Sequence, residues 1–212
     1  MPKRPSSRSP HRDRRPFPTV VRVTLILLIA GFIWPPRLHA DNAPPVGGVS
    51  DYAATSNAEK AQALVKTAIN LTDSEQALKL LWQATDIDPQ LEDPYVYLGL
   101  YYNSRSDFEN VIKVYQKLIK YEPKQSSAYL NIGEAYMSFV PPRYDDALAY
   151  YRKAYEIDPT SSFAALRMGE IFAQQGNRSE ALKFLKQASS DGARNPTAAA
   201  EADKLIAQMG PS

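Results

Sequence analysis

The sequence contains no cysteine, and its only two histidines, His11 and His39, lie within the first forty residues. The rest of the chain therefore lacks the thiol nucleophile, the usual general base near neutral pH and the commonest transition-metal ligands. Its nine glycines are scattered and form no phosphate-binding loop. Dense acidic pairs stand beside turns or before a helix, where solvated carboxylates are favoured: Asp86/Asp88, Glu92/Asp93 and Asp145/Asp146. We expect no enzyme activity, no metal site and no cofactor.

The first forty residues have the pattern of a secretory signal peptide. Residues 1–22 are basic, residues 23–34 form an apolar run, and Leu38-His39-Ala40 provides a small-residue end. We expect export to a bacterial periplasm and cleavage after Ala40. Residues 41–57 are then expected to form a flexible linker, because this stretch is rich in Pro, Gly, Ala and Ser.

Two alternatives concern the same leader. It could remain uncleaved and tether the protein to the inner membrane through residues 20–34, with the rest facing the periplasm. Against this, a spanning helix needs about 20 apolar residues, and this run is shorter and includes Arg22. In the second alternative, Arg14 and Arg15 resemble a twin-arginine export signal, although Pro16 departs from that pattern.

The leader also determines the sign of the net charge. The whole chain has 25 basic and 23 acidic residues, and residues 1–40 hold eight basic residues and one acidic residue. Removal of the leader leaves 17 basic and 22 acidic residues, a formal charge of −5. The basic isoelectric point therefore belongs to the leader, and we expect no nucleic-acid partner.

A motif with a period near 34 residues recurs through the remainder of the chain. It reads Tyr95-x-x-Leu98-Gly99-x-x-Tyr102, then Tyr129-x-x-Ile132-Gly133-x-x-Tyr136, then Ala165-x-x-Met168-Gly169-x-x-Phe172. The glycines are 34 and then 36 residues apart. The two extra residues fall at 140–143, where adjacent prolines predict an enlarged loop between two helices.

This pattern resembles the tetratricopeptide repeat, a helix–turn–helix unit of 34 residues. A degenerate first copy has Val65 in place of the glycine, and the last copy has no closing proline. Apolar residues at three- and four-residue steps also indicate amphipathic helices. The resemblance implies an all-α fold, an α-solenoid of four stacked repeats at 58–91, 92–125, 126–161 and 162–195.

Local signals predict where the outer helices begin and end. Ser56 followed by Glu59 predicts a capping box at the start of the first helix. Residues 196–212 are expected to form a capping helix and a short tail, beginning at Asn195-Pro196 and closed by Gly210-Pro211. We expect Leu205, Ile206 and Met209 to share one side of that helix.

In the tetratricopeptide family, the first helices of successive repeats line a concave groove that holds a peptide or extended segment. By position, the resemblance places seven residues in the groove: Lys66, Tyr97, Leu100, Asn131, Glu134, Arg167 and Glu170. Their expected neighbours are Gln62, Val96, Leu130, Met137 and Gln174. Tyr97 and Leu100 supply apolar area, whereas Asn131 can bond peptide backbone and Arg167 with Glu170 can supply polar selectivity. In the alternative, Arg167 and Glu170 simply pair with each other.

Asn131 and Arg167 also resemble part of the carboxylate clamp with which chaperone-binding members hold a C-terminal Asp or Glu. Val96, Leu100 and Phe163 replace other residues expected in that clamp. Less than half of the clamp is present, so we expect a partly apolar peptide instead.

Taken together, these features predict a non-catalytic scaffold or adaptor in the bacterial cell envelope that binds a protein or peptide and no small-molecule substrate. One alternative is a membrane-tethered assembly factor or an accessory subunit of an envelope enzyme complex. Another is a structural protein that self-associates into a homo-oligomer through stacked repeats.

Overall fold

The structure is a computed structural model that describes residues 49–190 and 192–210, with side chains described from residue 57 onward. The predicted signal peptide and residues 41–48 of the predicted linker lie outside this part. Within it, the chain folds into nine α-helices and no strands, which confirms the all-α fold class. The helices are α1 Val49–Ala68, α2 Ser74–Ile87, α3 Glu92–Asn103, α4 Phe108–Tyr121, α5 Ser126–Met137, α6 Tyr144–Ile157, α7 Ser162–Gln174, α8 Arg178–Ser189 and α9 Pro196–Met209.

The first eight helices form four consecutive pairs, and each helix packs against the next along the chain. The second helices of the first three pairs end two residues before Pro89, Pro123 and Pro159, because the residue before proline disfavours the helical conformation. Between the helices of the third pair, the loop covers 138–143, compared with 104–107 in the second pair and 175–177 in the fourth. The enlarged loop predicted from Pro141 and Pro142 is therefore present.

The start of α1 differs from the prediction. The helix begins at Val49, so residues 49–57 are helical where the sequence predicted linker, and Ser56 lies inside the helix instead of capping it. The stretch from Val49 to Asn57 contains neither glycine nor proline and includes two alanines, which favour a helix. The helix-breaking residues that gave the window its linker composition all precede Val49.

The recurring tyrosine and glycine have specific packing roles. The Tyr95 hydroxyl donates to the Pro89 carbonyl at 2.9 Å, and the Tyr129 hydroxyl donates to the Pro123 carbonyl at 3.1 Å. Each bond ties the start of one pair to the turn that ends the preceding pair. Gly133 lies directly against the ring of Tyr151, and a Cβ atom built on it would meet Tyr151 Cε1 at 2.5 Å.

The last helix covers the end of the solenoid. It packs against both α7 and α8, with Leu205, Ile206 and Met209 turned toward a cluster that includes Leu166 and Leu185. Its first turn is capped by Asn195, whose side chain accepts from the Ala198 amide at 3.0 Å. In the part of the chain that is described, no helix is both long enough and apolar enough to cross a bilayer.

Candidate functional site

The seven predicted groove residues all lie on the first helices of the four pairs. Lys66 is on α1, Tyr97 and Leu100 are on α3, Asn131 and Glu134 are on α5, and Arg167 and Glu170 are on α7. The structure divides them into two groups. One group forms a half-buried ionic cluster between α5 and α7, and the other remains on the surface.

Glu134, Arg167 and Glu170 form an ionic cluster, here called the Arg167 cluster, that joins the third helix pair to the fourth. The Arg167 Nε atom lies 2.8 Å from Glu134 Oε1, and its Nη1 atom lies 2.9 Å from Glu170 Oε2. The Tyr151 hydroxyl donates to Glu134 Oε1 as well. The Arg167 guanidinium also stands 4.8 Å above the centre of the Phe163 ring. The alternative pairing of Arg167 with Glu170 is thus present, together with a second carboxylate.

Burial controls the ionisation of these groups. Glu134 is only 7% exposed, and burial raises the pKa of its carboxyl, although Arg167 and the Tyr151 hydroxyl oppose the rise. Burial and the adjacent Glu134 carboxylate raise the pKa of Tyr151, so its hydroxyl keeps its proton and remains a donor. Burial lowers the pKa of Arg167, but the two carboxylates raise it by more, and the guanidinium stays charged.

The raised pKa of Glu134 predicts a pH-dependent effect of Glu134→Gln. A folded-state pKa above the unfolded value gives stability that is present below the unfolded pKa, near 4.5, and is lost as pH rises through the folded pKa. Glutamine does not titrate, so the unfolding free energy of the variant minus that of the wild type should increase as pH rises above about 4.5. Urea titrations at several pH values measure this difference. A difference that falls with pH would mean that Arg167 depresses the pKa instead.

Arg167 and Asn131, the two residues that resemble part of a carboxylate clamp, both have hydrogen-bond partners within the protein. Arg167 uses Nε, Nη1 and Nη2 on its own carboxylates. The Asn131 amide donates to the Ser127 carbonyl of its own helix at 2.9 Å. Both residues that carried the resemblance to the clamp are therefore bonded within the protein, and the partly apolar peptide ligand stays a prediction.

The remaining predicted residues, Lys66, Tyr97 and Leu100, lie on α1 and α3. Leu100 is 39% exposed, which is high for a large apolar side chain, and Tyr97 on the preceding turn is half-buried. Burial, together with the Asp93 carboxylate, raises the pKa of the Tyr97 phenol, so this side chain is neutral and amphipathic at physiological pH. Lys66 is exposed on α1.

A pocket of about 200 Å³, here called the terminal pocket, opens where α5, α6, α7 and α9 meet. Its lining residues are Met137, Tyr144, Glu170, Ala173, Gln174 and Leu205. Sequence position predicted Met137, Glu170 and Gln174 for the groove. It did not indicate Tyr144 or Leu205, because one begins a second helix and the other belongs to the capping helix. Only the packing of α9 against α7 brings Leu205 to this place.

No cluster of three or more potential metal-ligating side chains occurs among the described residues. Within the Arg167 cluster, the Glu134 and Glu170 carboxylates accept hydrogen bonds from Arg167, and Glu134 also accepts from the Tyr151 hydroxyl. The described side chains on this face offer apolar contact, hydrogen bonds and charge.

Similarity to known proteins agrees with this architecture. Two family models, both described as tetratricopeptide repeat, match residues 95–162 and 143–208, and together they cover more than half of the chain. No curated protein sequence matches.

Solved structures share the fold at low sequence identity. TTC0263, a thermophilic TPR protein of Thermus thermophilus, is 20% identical, with coverage of 71% of this chain and 83% of that one and a TM-score of 0.53. A MamA structure is 21% identical, with coverage of 74% and 86% and a TM-score of 0.52. The TPR2B domain of yeast Sti1, in a complex with pHsp70, is 28% identical, with coverage of 52% and 89% and a TM-score of 0.48.

The two matched segments together span the second, third and fourth helix pairs from residue 95 onward, the three recurring glycines and the capping helix up to residue 208. The chain belongs to the tetratricopeptide repeat family.

Proposed function

We propose that the protein is a non-catalytic scaffold or adaptor of the bacterial cell envelope that binds a peptide or extended protein segment across α3, α5 and α7. Tetratricopeptide repeat proteins are generally interaction modules without catalytic activity, and their stacked repeats create extended binding surfaces. To this general role we add a peptide or extended segment as the ligand and the cell envelope as the location.

The exposed side chain of Leu100 carries the proposal. Four large apolar residues of the described part are well exposed: Ile69, Leu100, Tyr121 and Val140. Leu100 is the one that lies at a predicted groove position beside a half-buried tyrosine. A leucine in this setting gains free energy when a ligand covers it, and Tyr97 adds an amphipathic surface suited to a peptide.

Export to the periplasm rests on the sequence of the first forty residues, which combines a basic segment, an apolar run and a small-residue end. The repeats that follow the leader are mildly acidic and contain neither cysteine nor histidine. Because these repeats contain no cysteine, their folding after export would not depend on disulfide formation.

In-cell photo-crosslinking tests the ligand and the location together. We expect a photo-reactive phenylalanine analogue at position 97, in place of Tyr97, to capture one dominant envelope protein. Leu100→Asp should lower that capture roughly tenfold, because the contact loses a buried leucine. Tyr121→Asp is the matched control, since Tyr121 is 40% exposed but lies at the end of α4. The same mass spectra report the amino terminus, which should begin near Asp41.

Other outcomes would reject specific parts of the proposal. Capture of the protein's own chain alone would favour the self-associating repeat. An intact amino terminus in the membrane fraction would favour the tethered form. Equal loss of capture in the Leu100→Asp and Tyr121→Asp variants would show that the α3 surface has no special role.

A further inference from the structure

The terminal pocket has the size and the lining of a site for one side chain of a ligand. Its volume of about 200 Å³ is suited to a single large side chain, and Met137, Ala173 and Leu205 give it apolar walls. The lining residues come from four helices, including the capping helix, so the pocket forms only when the end of the solenoid is assembled.

Charge at the rim of the pocket is predominantly negative. Glu170 lines the pocket, and Arg167 contacts its Oε2 atom, whereas no described residue donates a hydrogen bond to its Oε1 atom. Arg167 must also neutralise Glu134, so two carboxylates share one guanidinium. An additional cation beside Glu170 would balance this charge.

The other charged groups near the pocket leave this imbalance in place. Asp145, next to the lining residue Tyr144, accepts from the Gln175 side chain at 3.1 Å, so another carboxylate lies close by. Arg143 is paired with Asp146, and Arg178, four residues after the lining residue Gln174, donates to the Met209 and Gly210 carbonyls at the end of α9. Lys204 precedes Leu205 on α9 and is exposed. The pocket also lies at the carboxyl ends of α5 and α7, which favour cations, and at the amino end of α6, which favours anions and already carries Asp145 and Asp146 in its first turn.

We propose that the terminal pocket selects the ligand: it receives a large apolar side chain of an extended peptide while a neighbouring lysine or arginine of that peptide pairs with Glu170. This inference rests on the proposed function, since it names the chemistry of the segment bound on the same face. An acidic peptide C-terminus should bind poorly at this pocket. It would be repelled by the Glu170 and Asp145 carboxylates, and the one cation of the Arg167 cluster already pairs with Glu134 and Glu170.

Selection from a display library of random dodecapeptides on the full 212-residue chain tests the proposal. Peptides eluted from the wild type should be enriched in pairs of a basic residue and a large apolar residue. Against a selected peptide, Glu170→Gln should weaken binding roughly tenfold and reduce its dependence on ionic strength. Glutamine retains an oxygen that can accept from Arg167, so the cluster remains connected.

Matched variants separate charge, shape and folding. Glu180 on α8 pairs with Lys183, three residues away, just as Glu170 pairs with Arg167. Glu180→Gln therefore removes a similarly paired carboxylate from a helix that does not line the pocket, and it should leave the affinity for the peptide unchanged. Ala173→Leu fills the pocket and should weaken binding roughly tenfold, whereas Ala200→Leu on the exposed side of α9 should not. Far-ultraviolet circular dichroism establishes that each variant remains helical.

The outcomes distinguish this inference from the proposed function. Selection of acidic peptides would overturn the pocket proposal. Selected peptides could also bind the Glu170→Gln and Ala173→Leu variants normally but lose affinity for Leu100→Asp. That result would overturn the pocket proposal and still support peptide binding at the α3 surface. Peptides that are insensitive to all three substitutions would overturn both.

Discussion

Replacement of Arg167 by methionine should lower the free energy of unfolding by about 3–5 kcal/mol at neutral pH. The substitution removes the only cation of the Arg167 cluster while keeping much of the side-chain volume. Glu134, which is buried, would then retain just the Tyr151 hydroxyl as a partner. An uncompensated buried carboxylate is costly, and its pKa would rise further, so the loss should shrink toward acidic pH. Urea unfolding followed by circular dichroism measures the change.

Two further variants test whether the unpaired Glu134 carboxylate causes the loss of stability in Arg167→Met. Glu134→Gln introduced into the Arg167→Met background should recover much of the lost stability, because it removes the stranded carboxylate. Lys183→Met breaks an exposed pair on α8, with Glu180 at 3.3 Å, and should change stability by less than about 1 kcal/mol. If the double variant were less stable than Arg167→Met alone, loss of packing against Phe163 would be the larger effect.

The same cluster shows why the repeat period predicted the fold better than the site. Positions within a repeat identify which side chains lie on the first helices, and Glu134, Arg167 and Glu170 do lie there. The period does not specify which of them pair across neighbouring repeats. Arg167 reaches a carboxylate 33 residues earlier in the chain, and that contact depends on how one helix pair is rotated on the next.

Elements with local signals were predictable in detail. Adjacent prolines located the loop at 138–143, and Asn195-Pro196 with Gly210 located α9. Each of these signals restricts the backbone of a few neighbouring residues, so no tertiary information is needed. The start of α1 was missed because composition averaged over 41–57 concealed that every proline and glycine of this window precedes Val49.

The terminal pocket could not be predicted from the repeat period or from local sequence signals. Tyr144 and Leu205 are separated by about sixty residues in the sequence and belong to helices with different roles, yet both line the pocket. From the sequence, Leu205 was predicted only to lie on the apolar side of a capping helix. A helix of this kind covers the end of the core, and its docking against α7 also creates a new concave site.

Gly133→Ala should destabilise the protein by about 1–3 kcal/mol, although the same change within a helix usually stabilises by up to about 1 kcal/mol. Gly133 lies inside α5, and a Cβ atom there would come within 2.5–2.8 Å of three carbon atoms of the Tyr151 ring. That ring is fully buried and its hydroxyl is bonded to Glu134, so it has little room to shift. The midpoint and slope of urea unfolding measure the effect.

Two further variants assign the effect to this contact. Gly192→Ala would place its Cβ atom 3.5 Å from that of Ala199, an ordinary contact, and should change stability by no more than about 0.5 kcal/mol. Tyr151→Leu removes the three ring atoms that the new Cβ atom would meet, and the first repeat has Val65 and Leu81 at the positions of Gly133 and Tyr151. Gly133→Ala with Tyr151→Leu should therefore be less destabilised than the sum of the two single variants. Strict additivity would contradict a steric clash between Gly133 and Tyr151, and a stabilised Gly133→Ala would show that α5 and α6 can separate without cost.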